Sequence, residues 1–339
     1  MNEFRHSMRE LNDMLRPECD ALFRELVPDA AQKGNRLIGH MPDGGKVSMA
    51  LAGGRRGTWK NWHDGTDQQK GGPINLIQWV LFGGDRNKAC IYARARLGLG
   101  DGHAPPVDLA ARERQQRVAQ RRIEEDWRAR QHRVWRALDL WRGGRSDSAE
   151  VDAYLTHRLG GALPWRLRHL RFAADALDGQ AAMLAPVVSL ASAKQVATHV
   201  TLIAKDGAGV WRKADMPDAK RSYGVMENVA IPLLAGRGNT VLLAEGIENA
   251  LAAAWLEIGQ PRVWAIASLA GLASLHLPAG IETVIAVKDN DQRAPLIKQA
   301  WERAEARWLA QGRALEYRRA PAIHKDMAEF VVAERSKVR

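Results

Sequence analysis

Apolar positions first recur at helical spacing. Phe4, Met8, Leu11, Met14 and Leu15 predict one or two amphipathic helices within residues 1–35. From Gly34 to Gly84 the texture changes to short apolar runs between glycine-rich turns, and 37–38, 47–51 and 58–62 read as successive strands. Helices over 74–81 and 86–97 follow, then a Gly- and Pro-rich linker at 100–107. Residues 112–141 form a long Arg-rich helical pattern with a partial stripe of Ile123, Trp127, Val134, Leu138 and Trp141. That pattern fits a solvated helix packed by one stripe, and it equally fits a nucleic-acid arm. Between 150 and 235, one or two helices mix with strands at 186–190, 196–204 and 230–234.

The clearest pattern lies in the last hundred residues. A near-continuous apolar run at 240–246 ends in Glu245-Gly246, and a helix over 247–258 follows. Further runs occupy 262–268 and 283–291, the latter ending in Asp289-Asn290-Asp291. A helix over 294–311, a strand over 314–319 and a helix over 325–334 complete the chain. Apolar strands alternating with amphipathic helices predict an α/β parallel sheet covered on both faces. Functional groups in such sheets collect beyond the carboxyl ends of strands, where Glu245, Asp289 and Asp291 fall. Any one of these acids also suits a helix N-terminus. Three at the ends of two strands would repel one another without a cation, and an all-oxygen set suits Mg²⁺.

The 339 residues allow two or three domains at roughly 150 residues each. A hydrophobic fraction of 46% excludes wholesale disorder. No run approaches the roughly 18 apolar residues of a membrane span, and the charged start of the chain lacks a signal-peptide apolar region. Cys19 and Cys90 cannot build a disulfide framework or a four-cysteine zinc site, so a reduced, cytoplasmic protein is expected. Fifty Lys plus Arg against 39 Asp plus Glu leave a net charge of +11. Either a polyanionic partner, first of all nucleic acid, or an Arg-rich composition alone accounts for it.

The run Val241-Leu-Leu-Ala-Glu245-Gly-Ile-Glu-Asn-Ala-Leu251, with Ile285-Ala-Val-Lys-Asp289-Asn-Asp291, closely resembles a Toprim domain, the catalytic module of topoisomerases and DnaG-type primases. Its form is most similar to Toprim proteins of phages, plasmids and integrative conjugative elements. Lys325-Asp326 resembles a further Lys-Asp element of these domains, whereas Lys288 stands where they more often have a small residue. Upstream, Gly34–His40, Val47–Leu51, Gly57–Asp64 and Gly71–Ile77 follow the order of a primase zinc-binding domain without its Cys pairs. His40 and His63 read as ordinary histidines, so the resemblance implies a zinc-free version whose small sheet is held by Trp59 and Trp62. His199–Ile203, Lys213 and Lys220–Gly224 are similar to the strand-rich region preceding Toprim in primases.

The resemblance implies three domains: a zinc-ribbon-like one over 1–100, a basic helix with a DNA- and nucleotide-binding region over 108–237, and Toprim over 238–339. It implies primer synthesis on single-stranded DNA during replication of a phage or mobile element. Glu245, Asp289 and Asp291 would be catalytic. With Asp326 they would bind Mg²⁺ or Mn²⁺, while Lys213, Lys220, Arg221, Lys288 and Lys325 would hold nucleic acid or nucleoside triphosphates. No Gly-x4-Gly-Lys-Ser/Thr occurs, and Gly44-Gly45-Lys46-Val47 fails its spacing, so any replicative helicase is expected to be a separate protein. A topoisomerase is disfavoured because only Tyr92, Tyr154, Tyr223 and Tyr317 exist and no region is long enough for its tyrosine domain. A metal-dependent nuclease and a non-catalytic single-strand-binding replication protein remain the alternatives.

Overall fold

The computed structural model describes residues 6–41, 44–62, 69–99, 109–266, 269–273, 275–290 and 295–337. The linker expected at 100–107, His63 and Asp291 lie outside them. The chain divides into two compact units, 1–128 and 129–339.

In the first unit, helices α1 (Met8–Leu15) and α2 (Cys19–Leu26) precede a five-stranded antiparallel sheet. Ser7 caps α1 through a reciprocal bond with Glu10, so the helix starts where its first free N–H groups find an acceptor. The sheet runs in sequence order: β1 (Ala31–Lys33), β2 (Arg36–His40), β3 (Lys46–Ala50), β4 (Trp59–Asn61) and β5 (Lys70–Gly71). Helices α3 (Pro73–Phe82) and α4 (Arg86–Arg96) follow. Alternation along the strands sends Leu37, Val47, Met49 and Trp59 into a core with Leu11, Leu15, Phe23, Ile74 and Ile77. The other face carries Lys33, Arg36, Lys46, Lys60 and Lys70 in adjoining register.

Trp59 and Trp62, expected together as the substitute for a metal, divide between these faces. Trp59 is buried and donates its indole N–H to the Gly72 carbonyl at 3.1 Å. Trp62 is 58% exposed on the basic face, donates to Ser48 Oγ at 3.0 Å and has the Lys60 ammonium 5.4 Å from its ring. His40 Nδ1 lies 2.6 Å from Asp29 Oδ2, while Cys19 is buried in the core.

The long helix α5 (Leu109–Gly143) contributes residues to both units. In the second unit it is followed by α6 (Ala149–Arg158) and strands β6 (Arg171–Leu177), β7 (Gln180–Ser189), β8 (Gln195–Lys205), β9 (Trp211–Lys213), β10 (Lys220–Gly224) and β11 (Val229–Leu234). Then come β12 (Thr240–Ala244), α7 (Ile247–Leu256), β13 (Arg262–Ala265), α8 (Leu269–Ala273), β14 (Thr283–Lys288), α9 (Pro295–Ala310), β15 (Ala314–Arg319) and α10 (Met327–Lys337). The strands pair in the order β10-β8-β7-β11-β13-β12-β14-β15, with β6 also on β7 and β9 also on β8.

From β13 to β15 the pairing is parallel. Val241, Leu243, Val284 and Ala286 face a core with Trp301 and Trp308 of α9. Leu242, Ala244, Ile285 and Val287 face the opposite core, with α7 and α10. Burial on both faces explains the uninterrupted apolar runs. Among the described residues, no helix is long and apolar enough to cross a membrane.

The boundary expected at 237/238 falls within one hydrogen-bonded sheet. β11 pairs with β7 on the antiparallel side and with β13 on the other. The core beneath it mixes Tyr154, Met183, Val187, Ala197 and Ile203 with Leu242, Leu251, Val287 and Ala328. A fragment of residues 129–339 should therefore melt cooperatively, whereas one of residues 238–339 should expose that apolar face, bind a hydrophobic dye and aggregate. Thermal melts followed by circular dichroism test this; cooperative unfolding of the shorter fragment would show that the shared core is dispensable.

Candidate functional site

Register brings the expected carboxylates to one end of the sheet. Ala244 pairs with Val287, so Glu245 and Asp289 leave their strands side by side. Gly246 turns the chain from β12 into α7 with φ +106°, a value that side-chain-bearing residues rarely adopt. The alternation that sends Ile285 and Val287 towards α7 continues to Asp289, whose Oδ1 accepts a hydrogen bond from Asn249 Nδ2 of α7 at 2.8 Å.

Two asparagines assemble the rest. Asn249 Oδ1 accepts the Ala328 N–H of α10 at 3.1 Å, tying the two helices. The Asn290 side chain donates to the Ala320 and His324 carbonyls at 2.9 and 2.7 Å, and its backbone N–H donates to the Lys325 carbonyl at 2.9 Å. These bonds fasten Lys325-Asp326 beside Asp289.

From the antiparallel half, β10 contributes Lys220. Its ammonium lies 2.9 Å from Glu248 Oε2, and Tyr154 of α6 donates its hydroxyl to Glu248 Oε1 at 2.6 Å. Ser222 sits opposite His199 across β10 and β8, with Oγ 2.9 Å from His199 Nδ1. His199, Lys220, Arg221, Ser222, Glu245 and Asp289 line a cleft of about 500 Å³, whose apolar wall includes Met226, Ile231 and Ile266.

Charge in this cleft is unevenly compensated. Burial, then the Glu245 and Asp326 carboxylates, push the Asp289 carboxyl up to about 7 against the pull of Lys325 and Lys220. Burial also raises Glu245, partly offset by Lys220. Burial would raise Glu248 as well, but Lys220 and the Tyr154 hydroxyl outweigh it and hold that carboxyl at about 2. His199 is driven down to about 4 by burial and by Lys220, so its ring is neutral at pH 7.

The carboxylate oxygens of Asp289 and Glu245, whose charge Lys220 and Lys325 offset only in part, fit a hard divalent cation. Mg²⁺ is commonly held by one or two carboxylates, with waters and substrate phosphates completing its shell. Among the described residues, no group of three His, Cys, Asp or Glu side chains closes to metal-binding distance.

The sequence of this segment agrees. The Toprim domain model matches residues 240–336. Residues 240–336 form a Toprim domain. Residues 131–233, just before it, match a domain of unknown function, DUF7146. Among solved structures, the primase fragment of the bacteriophage T7 primase-helicase protein is 16% identical over 57% of this chain and 72% of its own, with a TM-score of 0.36. The Aquifex aeolicus primase, comprising zinc-binding and RNA polymerase domains, is 14% identical over 97% and 84%, at 0.35. A DNA primase domain from Pseudomonas aeruginosa is 15% identical over 53% and 54%, at 0.29. No curated protein matches the chain.

Not every expected site residue lines the cleft. Lys288 alternates with Ala286 towards α9, where its ammonium lies 2.5 Å from Glu305 Oε1 and 4.8 Å from the Tyr317 ring centroid. It does not line the cleft, because strand alternation sends it to the far face. Asp326, expected as a metal ligand, caps α10: Oδ1 accepts the Glu329 N–H at 2.8 Å and Oδ2 lies 3.4 Å from Arg158. It reaches Asp289 through its charge. Lys213 lies opposite Ile203, one row beyond Lys220 on the same face, exposed and outside the cleft wall. Glu248, Asn249 and Asn290 lie within the quoted motifs without an assigned role there, and Tyr154 carries no mark in composition or spacing.

Folding raises Asp289 from the ordinary carboxylate value near 4 to about 7. In chelator, the contribution of its protonated form is complete below about pH 4 and is lost as pH rises through 7. The melting temperature of wild type should therefore fall below that of Asp289→Asn between about pH 5 and 8, the two converging near pH 4. The stability difference behind this gap should be on the order of 1 kcal/mol after solvent screening. Added Mg²⁺ should close it in wild type alone; parallel melting curves across the range would contradict it.

Proposed function

We propose that this protein makes primers, joining nucleoside triphosphates on a single-stranded DNA template during replication of a phage or mobile element. The observation that carries the reading is the Toprim cleft, where Glu245 and Asp289 meet beneath Lys220 and Arg221. The form of the Glu245–Leu251 motif supports the mobile-element setting. Glu245, Asp289 and Asp291 would hold Mg²⁺ or Mn²⁺, which would supply charge neutralisation for the transferring phosphoryl group. Phosphoryl transfer otherwise needs positioning and electrostatics more than covalent chemistry.

Lys220 and Arg221 flank the acids and provide the counter-charge for a triphosphate; Lys325 adds to it beside Asp289. Glu245, its carboxyl raised by burial, either shares the metal or takes the proton from the attacking 3′ hydroxyl. Lys213 extends the basic face one row beyond the cleft, in place to meet template. The first unit offers a second surface for a strand, where Arg36, Lys46 and Lys60 surround the exposed Trp62. A separate helicase would open the duplex.

A non-catalytic nucleic-acid-binding role is the second reading, favoured by the engagement of both Asp326 oxygens with Glu329 and Arg158. Labelled nucleotides, single-stranded circular DNA and Mg²⁺ or Mn²⁺, resolved on a sequencing gel, separate the two. Wild type should yield short products, and Asp289→Ala and Asp291→Ala should yield none while still binding the strand. Products undiminished in both variants would refute the assignment; strand binding without products would establish the second reading. Binding should weaken steeply with salt, and removing Lys220 and Arg221 together should shrink the log–log slope by about one to two units, at roughly 0.7 per phosphate contact. An unchanged slope would place the strand's path elsewhere.

A further inference from the structure

Glu248 and Tyr154 take no direct part in the chemistry above, yet they are among the most deeply buried polar side chains of the second unit. Glu248 is 5% exposed and Tyr154 1%. A carboxylate at that depth is costly unless paired and hydrogen-bonded, and both its oxygens are engaged, one by Tyr154 and one by Lys220. The three residues come from α6, β10 and α7, elements far apart in sequence.

The arrangement is lopsided. A pair built only for stability gains nothing over apolar packing, and one expects both partners inside. Here the Glu248 side chain is 6% exposed, whereas that of Lys220 is 39% exposed and opens on the cleft. Lys220 stands on β10, the terminal strand of the sheet order, with four rotatable carbons that would otherwise sample many rotamers. Glu248 stands three residues after Glu245, so the group that holds the lysine and the acid that faces the cleft sit on either side of the β12–α7 junction. Gly246 lies between them, and a Cβ there would come within 3.8 Å of the ammonium.

We propose that Tyr154 and Glu248 are positioning residues that hold the Lys220 ammonium at the cleft wall, where it meets the phosphates of a nucleoside triphosphate. The proposal rests on the reading that the cleft takes a triphosphate. Tyr154 orients Glu248 and Glu248 orients Lys220, so the effect of either residue on binding passes through the lysine.

Calorimetric titration with ATP, in Mg²⁺ and in chelator, tests this in the full chain. Tyr154→Phe loses one hydroxyl and should keep the fold while weakening ATP roughly 3- to 10-fold, the worth of one hydrogen bond. Glu248→Gln should weaken it about tenfold. Lys220→Met should weaken ATP and also lower the melting temperature, because it leaves Glu248 buried and unpaired. Adding Glu248→Gln to Lys220→Met should restore the melting temperature but not the affinity. Adding Tyr154→Phe to Lys220→Met should leave the affinity unchanged within about twofold.

Unaltered affinity in Tyr154→Phe, losses that add in the double variants, or a wild type that does not bind ATP would each overturn the proposal. If the coupling holds while wild type makes no primers, the positioning role stands and primer synthesis falls.

Discussion

The site depends on one ion pair that crosses the sheet. Lys220 belongs to the antiparallel half and Glu248 to the first helix of the Toprim half, and they meet at 2.9 Å. Without that cation, Glu245, Glu248, Asp289 and Asp326 would crowd the carboxyl ends of β12 and β14 with less counter-charge, left to Arg221, Lys325 and Arg158. Because the carboxylate of the pair is buried, removing the lysine would cost more than the pair contributes. The continuous sheet makes the meeting possible: β11 joins β7 to β13, so the distance between the two halves is set by backbone hydrogen bonds.

Within the cleft, the carboxylates divide by environment. Glu248, given a cation and a hydroxyl, is held ionised far below neutrality. Asp289, buried and beside two further acids, has its carboxyl raised to about 7. Identical chemistry thus serves two ends: one acid fixes a lysine, and the other carries excess negative charge for which a divalent cation is the natural partner. Asn249 and Asn290 make the division possible, since uncharged amides tie the acidic strand ends to α10 without neutralising Asp289.

The first unit solves a different problem. Its sheet buries Leu37, Val47, Met49 and Trp59 on one face and leaves a basic face with an exposed tryptophan on the other. Half-buried antiparallel sheets tolerate this, because only one face must leave water. Any stacking on Trp62 would persist in salt that screens attraction to the surrounding cations.

The elements of the Toprim half were legible in the chain because both of its sheet faces are buried: strands 240–244 and 283–288 read as apolar runs that end at Glu245 and Asp289. Strand period likewise marked β2, β3 and β4, and helical period marked α3 and α4. The short strands β9 and β10 were not legible as strands by period, since Trp211–Lys213 and Lys220–Gly224 lack an apolar face, and the alanine-rich β6 carries no alternation. Nor could sequence assign direction to single side chains. Lys288 and Asp289 are neighbours, yet alternation sends one to Glu305 and the other to Asn249. Trp59 and Trp62 likewise share a motif but not a face. Local pattern determined which residues form strands, and where the acids leave them. Only the tertiary structure decided that Tyr154, Lys220 and Glu248 meet, because burial of a charge selects its partners through space and leaves no period in the chain.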